Sequence, residues 1–205
     1  MVRSLVALFV VAALISLAPA APVPKHLTPK ETLYHGVQKG SRWVYADTGA
    51  EVVFEATDAR PDKRGGSVVT IDRVENGKKT LAQKLDVSPR GIFLIEGPEG
   101  TRKPPTCLLQ CPVQADTKWS IEYTGRPNDT NIYRATLKIT GTEDVTVPAG
   151  KYAAVRVEAK ISAFAGDKPV YESNSTTWYA PGIGVVKQEG RGWTKELKSF
   201  TPGKD

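Results

Sequence analysis

The strongest constraint on the fold of this chain is an alternation of apolar and polar residues with a period of two. Its longest run covers residues 153–163, where every second position is apolar: Ala153, Val155, Val157, Ala159, Ile161 and Ala163. Most residues between them are Arg, Glu, Lys or Ser. This pattern predicts a long β-strand with one buried face and one solvated face. Shorter runs of the same period occupy residues 52–56, 81–87, 119–123 and 133–139.

Turn signals separate these runs. Asn76-Gly77 predicts a tight hairpin, because both residues tolerate a positive φ angle. Further turns are predicted at five structural residues: Pro148, Gly150, Pro181, Gly182 and Gly184. The short connections and the lack of a sustained helical period predict an all-β fold. We expect roughly ten strands in a mostly antiparallel sheet that is open or partly closed.

The N-terminal residues predict export. Residues 1–20 combine a basic start at Arg3, an apolar run and the small residues Ala18-Pro19-Ala20, as in a cleaved signal peptide. The apolar run is too short to span a bilayer, so the cleaved protein is not expected to be integral to the membrane. Residues 21–35 predict a disordered lead-in. Residues 36–201 predict a single β domain with a Pro-rich interruption at 98–112.

The charge distribution argues against a nucleic-acid partner. The chain has a net charge of +6, of which Arg3 of the predicted signal peptide contributes one. A basic protein can bind anionic partners. Here, however, Lys and Arg are spread along the whole chain and alternate with Glu and Asp, without a basic run that contains aromatic residues. These charges are typical of solvated strand faces.

Two cysteines, Cys107 and Cys111, lie in the Pro-rich segment. An exported protein can form disulfides. In an extended strand the two Cα atoms would lie about 13 Å apart, which is beyond the reach of a disulfide. A bridge therefore requires a turn at residues 108–110, and the sequence leaves both states open. A metal site is not expected, because two thiolates without a nearby His leave zinc two ligands short.

The residues that usually carry out catalysis are sparse. Only two histidines are present, His26 and His35, and both precede the predicted sheet. The chain has no G-x-S-x-G or H-E-x-x-H motif and no Gly-rich loop followed by a helix. The sequence therefore predicts no catalytic residues and no cofactor, although carboxylates on neighbouring strands leave enzymatic activity open.

Two tryptophans are candidates for a ligand-binding face. Trp43 and Trp119 stand early in predicted strands. Buried tryptophans usually pack in a core, where they bury a large area. They could also line an apolar cavity inside a curved sheet. The sequence alone does not separate these two roles.

The motif V-P-A-G-K-Y at 147–152, followed by W-Y-A-P-G-I-G-V-V at 178–186, resembles a group of bacterial exported proteins of unknown function. These proteins are distantly similar to the lipoprotein-carrier (LolA-like) half-barrel proteins, in which a curved antiparallel sheet shelters an apolar concavity. The resemblance implies a curved sheet, open or half-barrel, and a location in the bacterial envelope. Its motif residues form turns and strands, so it implies no enzymatic activity.

Together, these features predict a non-enzymatic exported protein, periplasmic or extracellular. We expect it to bind an apolar ligand or a protein partner on its curved sheet. Its expected partners are a lipid, a lipoprotein or an envelope protein. Two alternatives remain open: a hydrolase that acts on envelope polymers, and a structural envelope component that assembles through sheet edges.

Overall fold

The computed structural model describes residues 32–63, 65–124 and 130–204, and these residues form twelve β-strands. The strands are β1 Arg42–Asp47, β2 Ala50–Pro61, β3 Ser67–Glu75, β4 Lys78–Ser88, β5 Gly91–Gly97, β6 Gly100–Gln110, β7 Lys118–Thr124, β8 Ile132–Val147, β9 Gly150–Ala165, β10 Lys168–Ala180, β11 Gly184–Gly190 and β12 Trp193–Thr201. The described part of the chain contains no helix that is long and apolar enough to cross a membrane. The predicted signal peptide and residues 21–31 of the predicted lead-in lie outside the described residues.

All twelve strands belong to one antiparallel sheet, in the order β6-β5-β4-β3-β2-β1-β12-β11-β10-β9-β8-β7. The chain therefore makes two six-stranded meanders, which are joined where β1 pairs with β12. The edge strands β6 and β7 approach each other, because Trp119 Nε1 donates to the carbonyl oxygen of Cys107 at 3.0 Å. The sheet is thus nearly closed and barrel-like. The predicted all-β, curved antiparallel fold is confirmed, with twelve strands where roughly ten were expected.

The turns lie where Asn and Gly residues allow them. Asn76 and Gly77 have φ angles of 50° and 76°, and they join β3 to β4 directly after the Glu75–Lys78 pair. Gly184 has a φ of 108°, and a Cβ atom there would lie 2.7 Å from Cδ2 of His35. This position therefore requires glycine for both conformation and space.

The buried apolar side chains come mostly from alternate positions of each strand. In β9, Val155 and Val157 are buried, whereas Arg156 pairs with Glu158 at 2.8 Å on the opposite face. The alternation predicted from residue 153 is wrong at its first position, because Ala153 is exposed and Ala154 is buried. A register shift between β8 and β9, at Ile139/Gly141, changes which side chains face inward.

The Pro-rich segment is a strand and not an interruption. Residues 100–110 form β6 at one edge of the sheet. Pro104 and Pro105 fall where the pairing with β5 shifts register, between the pairs Glu96–Thr101 and Leu94–Thr106. Proline cannot donate a ladder hydrogen bond, so an edge strand with a locally interrupted ladder is a position that tolerates it. Hydrophobic alternation is lost at the prolines, which is why the sequence does not predict this strand.

The last residues of the predicted lead-in contact the sheet. Leu33 and Tyr34 pack against the core, and the backbone N–H of Gly182 donates to the carbonyl oxygen of Leu33 at 2.8 Å. His35 is buried beside them. Residues 32–35 are therefore ordered by the sheet itself. No period-two pattern marks such an irregular segment, so the sequence does not predict that it belongs to the domain.

Candidate functional site

The inner face of the sheet encloses a cavity of about 400 Å³. Strands from both meanders line it, because the near-closure of the sheet brings β4–β6 opposite β7–β11. Its apolar wall is built by inward-facing residues of these strands: Ala82, Leu94, Leu108, Ile121, Ala135, Leu137, Ala159 and Ile161. Several of these side chains are only half-buried, so the core does not fill the space.

A second space of about 250 Å³ adjoins the first. The two share five lining residues: Ala82, Gln83, Leu108, Tyr179 and Gln188. We call the two spaces together the interior cavity. Trp43, Tyr45 and Phe54 contribute to the wall of the smaller space, which makes this end aromatic. The interior cavity therefore offers one apolar wall with an aromatic end.

A groove of about 590 Å³ lies between the edge strands β6 and β7, and we call it the edge gap. It shares five lining residues with the larger space: Glu99, Arg102, Thr106, Ile121 and Tyr123. The edge gap therefore adjoins the interior cavity where the sheet fails to close.

Arg102 bridges the edge gap. Its Nη1 donates to the carbonyl oxygen of Thr124 on β7 at 2.9 Å, and its Nη2 pairs with Oε2 of Glu99 at 3.2 Å. The guanidinium also lies over the ring of Tyr123, with 5.3 Å between its Cζ and the ring centroid. The side chain is 13 % exposed. The charge of Arg102 is thus already matched by a carboxylate within the protein.

Four polar residues form a row across the inner face. Thr177 pairs with Gln188, Gln188 with Lys195, and Lys195 with Asp47, so the row crosses β10, β11, β12 and β1. Directly paired residues of antiparallel strands point to the same face with Cβ atoms about 5 Å apart. We call these residues the polar row. It lies in a wall that is otherwise mostly apolar.

Lys195 holds the positive charge of the polar row, at the aromatic end of the interior cavity. Its Nζ lies 5.3 Å from the ring centroid of Tyr45 and 6.0 Å from that of Phe54. Burial lowers the pKa of Lys195, whereas the carboxylate of Asp47 acts in the opposite direction. The aromatic faces stabilise an ammonium without neutralising it.

The two tyrosines of this wall supply hydroxyl groups and not charge. Tyr45 donates to the carbonyl oxygen of Val185 at 2.7 Å, and Tyr179 lies 3.5 Å from the carbonyl oxygen of Leu108. Burial raises the pKa of both phenols, so they stay neutral at physiological pH. Their hydrogen bonds fix the strands around the cavity.

The two predicted ligand-face tryptophans lie in different places. Trp43 is 1 % exposed, donates from Nε1 to the carbonyl oxygen of Ile183 at 2.8 Å, and also lines the smaller space. It therefore combines the two roles that the sequence could not separate. Trp119 joins the two edge strands through its bond to Cys107 and does not line the interior cavity.

The two cysteines are free thiols and no disulfide joins them. Cys107 lies within β6, paired with Phe93, and Cys111 follows the end of that strand. The turn at residues 108–110 that a bridge requires is absent, because Leu109 continues the strand and pairs with Ile92. Within the described ranges, no three His, Cys, Asp or Glu residues lie close enough together to hold a metal ion.

The sequence reasoning missed Lys195, although a signal was present. In the β12 sequence W-T-K-E-L-K-S-F, Lys195 lies two positions before the buried Leu197 and therefore on the same face of the strand. Thr194, Glu196 and Lys198 lie on the opposite face. A lysine on the apolar face of an alternating strand is an exception that indicates a special environment. The five predicted turn residues lie at the β8–β9 and β10–β11 connections, outside the polar row.

Comparisons with known proteins agree with this fold. Residues 114–201 match the model of the DUF3108-like family. A predicted lipoprotein from Parabacteroides distasonis ATCC 8503 has a similar crystal structure, with a TM-score of 0.56, 17% identity and coverage of 83% of this chain and 99% of that one. A predicted exported protein with a YmcC-like fold from Bacteroides fragilis NCTC 9343 gives a TM-score of 0.52 at 13% identity, with the same coverage. No curated protein sequence matches. The chain thus shares its fold with these two proteins and matches the DUF3108-like family model over its C-terminal half.

Proposed function

We propose that this protein is exported to the bacterial envelope and binds the apolar chain of an amphiphile in its interior cavity, without catalysing a reaction. The observation that carries the proposal is the apolar space between the two meanders, with parts of about 400 and 250 Å³. Small-molecule sites generally range from about 300 to 1,000 Å³ and are lined mainly by apolar side chains.

The energetics favour a flexible hydrocarbon chain as the occupant. Each methylene group removed from water contributes about 0.8 kcal/mol, so a chain of several methylenes supplies strong binding without specific polar contacts. The edge gap gives such a chain a lateral route into the larger space, since Thr106 and Ile121 line both. Release and uptake would then need local separation of β6 and β7 only.

Three independent features support export. The first 20 residues have the pattern of a signal peptide. The two similar structures belong to a predicted lipoprotein and a predicted exported protein. The turn motifs at 147–152 and 178–186 resemble those of exported bacterial proteins that are distantly similar to lipoprotein carriers. A periplasmic or extracellular carrier of amphiphiles, or of the acyl chains of a lipoprotein, agrees with all three.

A chain-length series of uncharged alcohols tests the proposal. We expect 1-decanol to 1-hexadecanol to displace N-phenyl-1-naphthylamine from the protein, with affinity rising about fourfold for each added methylene until the cavity is full. Ala159→Phe, which places a ring in the larger space, should weaken binding at least tenfold. Lys160→Phe adds the same ring at the exposed neighbouring position and should bind like the unaltered protein.

The outcomes of this experiment are distinct. If the alcohols do not bind, or if their affinity is independent of chain length, the interior cavity is not a chain-binding site. If Ala159→Phe and Lys160→Phe bind equally well, the chains bind elsewhere on the protein. In either case the proposed function would be wrong.

The two alternatives predict other results. Assembly through sheet edges requires free edge strands, whereas Arg102 and Trp119 bridge β6 to β7 within one chain. This observation favours a closed monomer over edge pairing. Hydrolysis of an envelope polymer remains a hypothesis, which incubation with purified peptidoglycan and mass spectrometry of the released fragments would test.

A further inference from the structure

Lys195 differs from the charged residues near it on β11 and β12 in the face of the sheet that its side chain occupies. Its neighbours on the outer face pair with one another, since Lys187 contacts Glu189 at 3.2 Å and Glu196 at 3.7 Å. Lys195 points to the inner face, where it meets the rings of Tyr45 and Phe54. A lysine is rarely buried without a partner, because taking an ammonium out of water is costly.

No carboxylate of the described residues lies within salt-bridge distance of Lys195. Asp47, its neighbour in the polar row, accepts a hydrogen bond from the hydroxyl of Thr48 at 3.3 Å. Arg102 lies in the other part of the interior cavity and is matched by Glu99. Among the described residues, Lys195 is therefore the cation of the interior cavity that forms no direct ion pair, although Asp47 lies next to it in the polar row.

The polar row also supplies hydrogen-bond donors beside this cation. Gln188 carries an amide NH₂ and Thr177 a hydroxyl, and neither side chain has a hydrogen-bond partner among the described residues. Gln188 lines both spaces of the interior cavity, and Thr177 lines the larger one. An ammonium, an amide and a hydroxyl in one row match the acceptor oxygens of a small anionic group.

We propose that the polar row binds the headgroup of a monoanionic amphiphile, a long-chain carboxylate, with Lys195 as its counter-ion and the chain in the larger space. This inference rests on the proposed function and adds the chemical class of the ligand. A single ammonium neutralises a single negative charge. A phosphate monoester carries between one and two charges at neutral pH and more acceptor oxygens than this row can match. The negative carboxylate of Asp47, next to Lys195 in the polar row, also repels the second negative charge of a phosphate.

Three ligands with the same chain test the headgroup: hexadecanoate, 1-hexadecanol and hexadecyl phosphate, each measured below its critical micelle concentration. For the unaltered protein at pH 7.5, we expect hexadecanoate to bind at least tenfold more tightly than hexadecanol and more tightly than the phosphate. Lys195→Met keeps the apolar stem over the two rings but removes the charge. It should abolish the preference for hexadecanoate and leave the affinity for hexadecanol within about threefold.

Two control variants separate charge from folding. Lys195→Arg keeps the positive charge and should keep the preference for hexadecanoate. Lys198→Met removes a lysine whose Nζ pairs with Glu51 at 2.6 Å on the outer face, so it should bind all three ligands like the unaltered protein. The unfolding midpoint of each variant shows whether its fold is intact.

The possible results separate this inference from the proposed function. Equal binding of hexadecanoate and hexadecanol by the unaltered protein would overturn the inference and leave chain binding in place. So would a preference for hexadecanoate that survives Lys195→Met. If hexadecyl phosphate binds more tightly than hexadecanoate, the ligand is not a monoanionic carboxylate. Failure of hexadecanol and hexadecanoate alike would overturn the proposed function and this inference with it.

Discussion

At the scale of the residue, His35 couples the segment before β1 to the sheet. Its ring lies 5.1 Å from that of Trp43, close to Gly184, and its Nδ1 donates to the carbonyl oxygen of Gly36 at 2.8 Å. Burial lowers the pKa of His35 to about 4, although the hydrogen bond to Gly36 acts in the opposite direction. An unfolded chain has a histidine pKa of about 6.5.

This pKa difference predicts how the stability depends on pH. Between about pH 6.5 and pH 4, the unfolded chain binds a proton at His35 and the folded chain does not. The free energy of unfolding should therefore fall as the pH falls through this window, by about 2 to 3 kcal/mol from this residue at pH 4.5. Urea unfolding at pH 7.0 and pH 4.5 measures the loss.

His35→Gln isolates this contribution, because every carboxyl group is common to both proteins. We expect the variant to be less stable at pH 7.0, since it loses the ring contact with Trp43, but to lose less stability on acidification. If the two proteins lose the same free energy between these pH values, His35 is not the group responsible.

Single residues also show what the sequence could reveal about the candidate site. Trp43 is a candidate from the sequence alone, because its residue type and its position in a strand are both visible there. Lys195 is visible in the sequence only as a charged residue on the apolar face of β12. Whether such an exception meets a partner or a cavity depends on Tyr45 and Phe54, which lie more than 140 residues earlier in the chain. The sequence pattern therefore predicts which face a residue lies on but not what that face meets.

At the scale of the element, β6 joins two unusual features, its prolines and its thiols. Burial raises the pKa of Cys107 to about 11, and it also raises the pKa of Cys111. The thiolate is the reactive form, so a shift of about two units lowers the reactive fraction of Cys107 roughly a hundredfold. The folded protein is thus expected to slow the reaction of both thiols with alkylating reagents, and the extended strand keeps them from forming a disulfide.

Alkylation with iodoacetamide at pH 8 measures both properties. In urea without reductant, we expect two thiols per chain to react, because no disulfide is present. In the folded protein, Cys107 should react much more slowly than in urea. Peptide mapping by mass spectrometry distinguishes the two sites. The absence of alkylation in urea until a reductant is added would show that the cysteines are bridged.

At the scale of the whole molecule, the strands could be predicted but the closure of the sheet could not. The period of two identified β8, β9 and the hairpins, because these features depend on neighbouring residues. Closure depends on register shifts, such as those at Val44/Tyr45 and Trp178/Tyr179. Each shift bends the strand locally and changes the face of the sheet on which the following side chains lie. No local pattern shows where these shifts fall. The interior cavity is a product of closure, so it was beyond a prediction from the sequence.

Near-closure also determines how a ligand would enter the interior cavity. Only the edge gap separates β6 from β7, and Arg102 spans it by its bond to the carbonyl oxygen of Thr124. If ligands pass through this gap, then Arg102→Ala should raise both the association and the dissociation rate constants for hexadecanol, by about fivefold or more. The dissociation constant should change less, because the chain contacts the same apolar wall after binding.

Stopped-flow tryptophan fluorescence gives these rate constants. Arg134→Ala is the matched control, because Arg134 pairs with Glu122 at 2.9 Å where both side chains are more than half exposed. Arg134 links β8 to β7 through Glu122, which lines the gap, but Arg134 itself does not line it. Its removal should therefore leave both rates unchanged. A general loosening of the sheet would accelerate exchange in both variants. Faster dissociation alone in Arg102→Ala would show that Arg102 holds the bound ligand, and unchanged rates would place the route elsewhere. A parallel rise of both rates in Arg102→Ala alone is the result that identifies the edge gap as the route of ligand exchange.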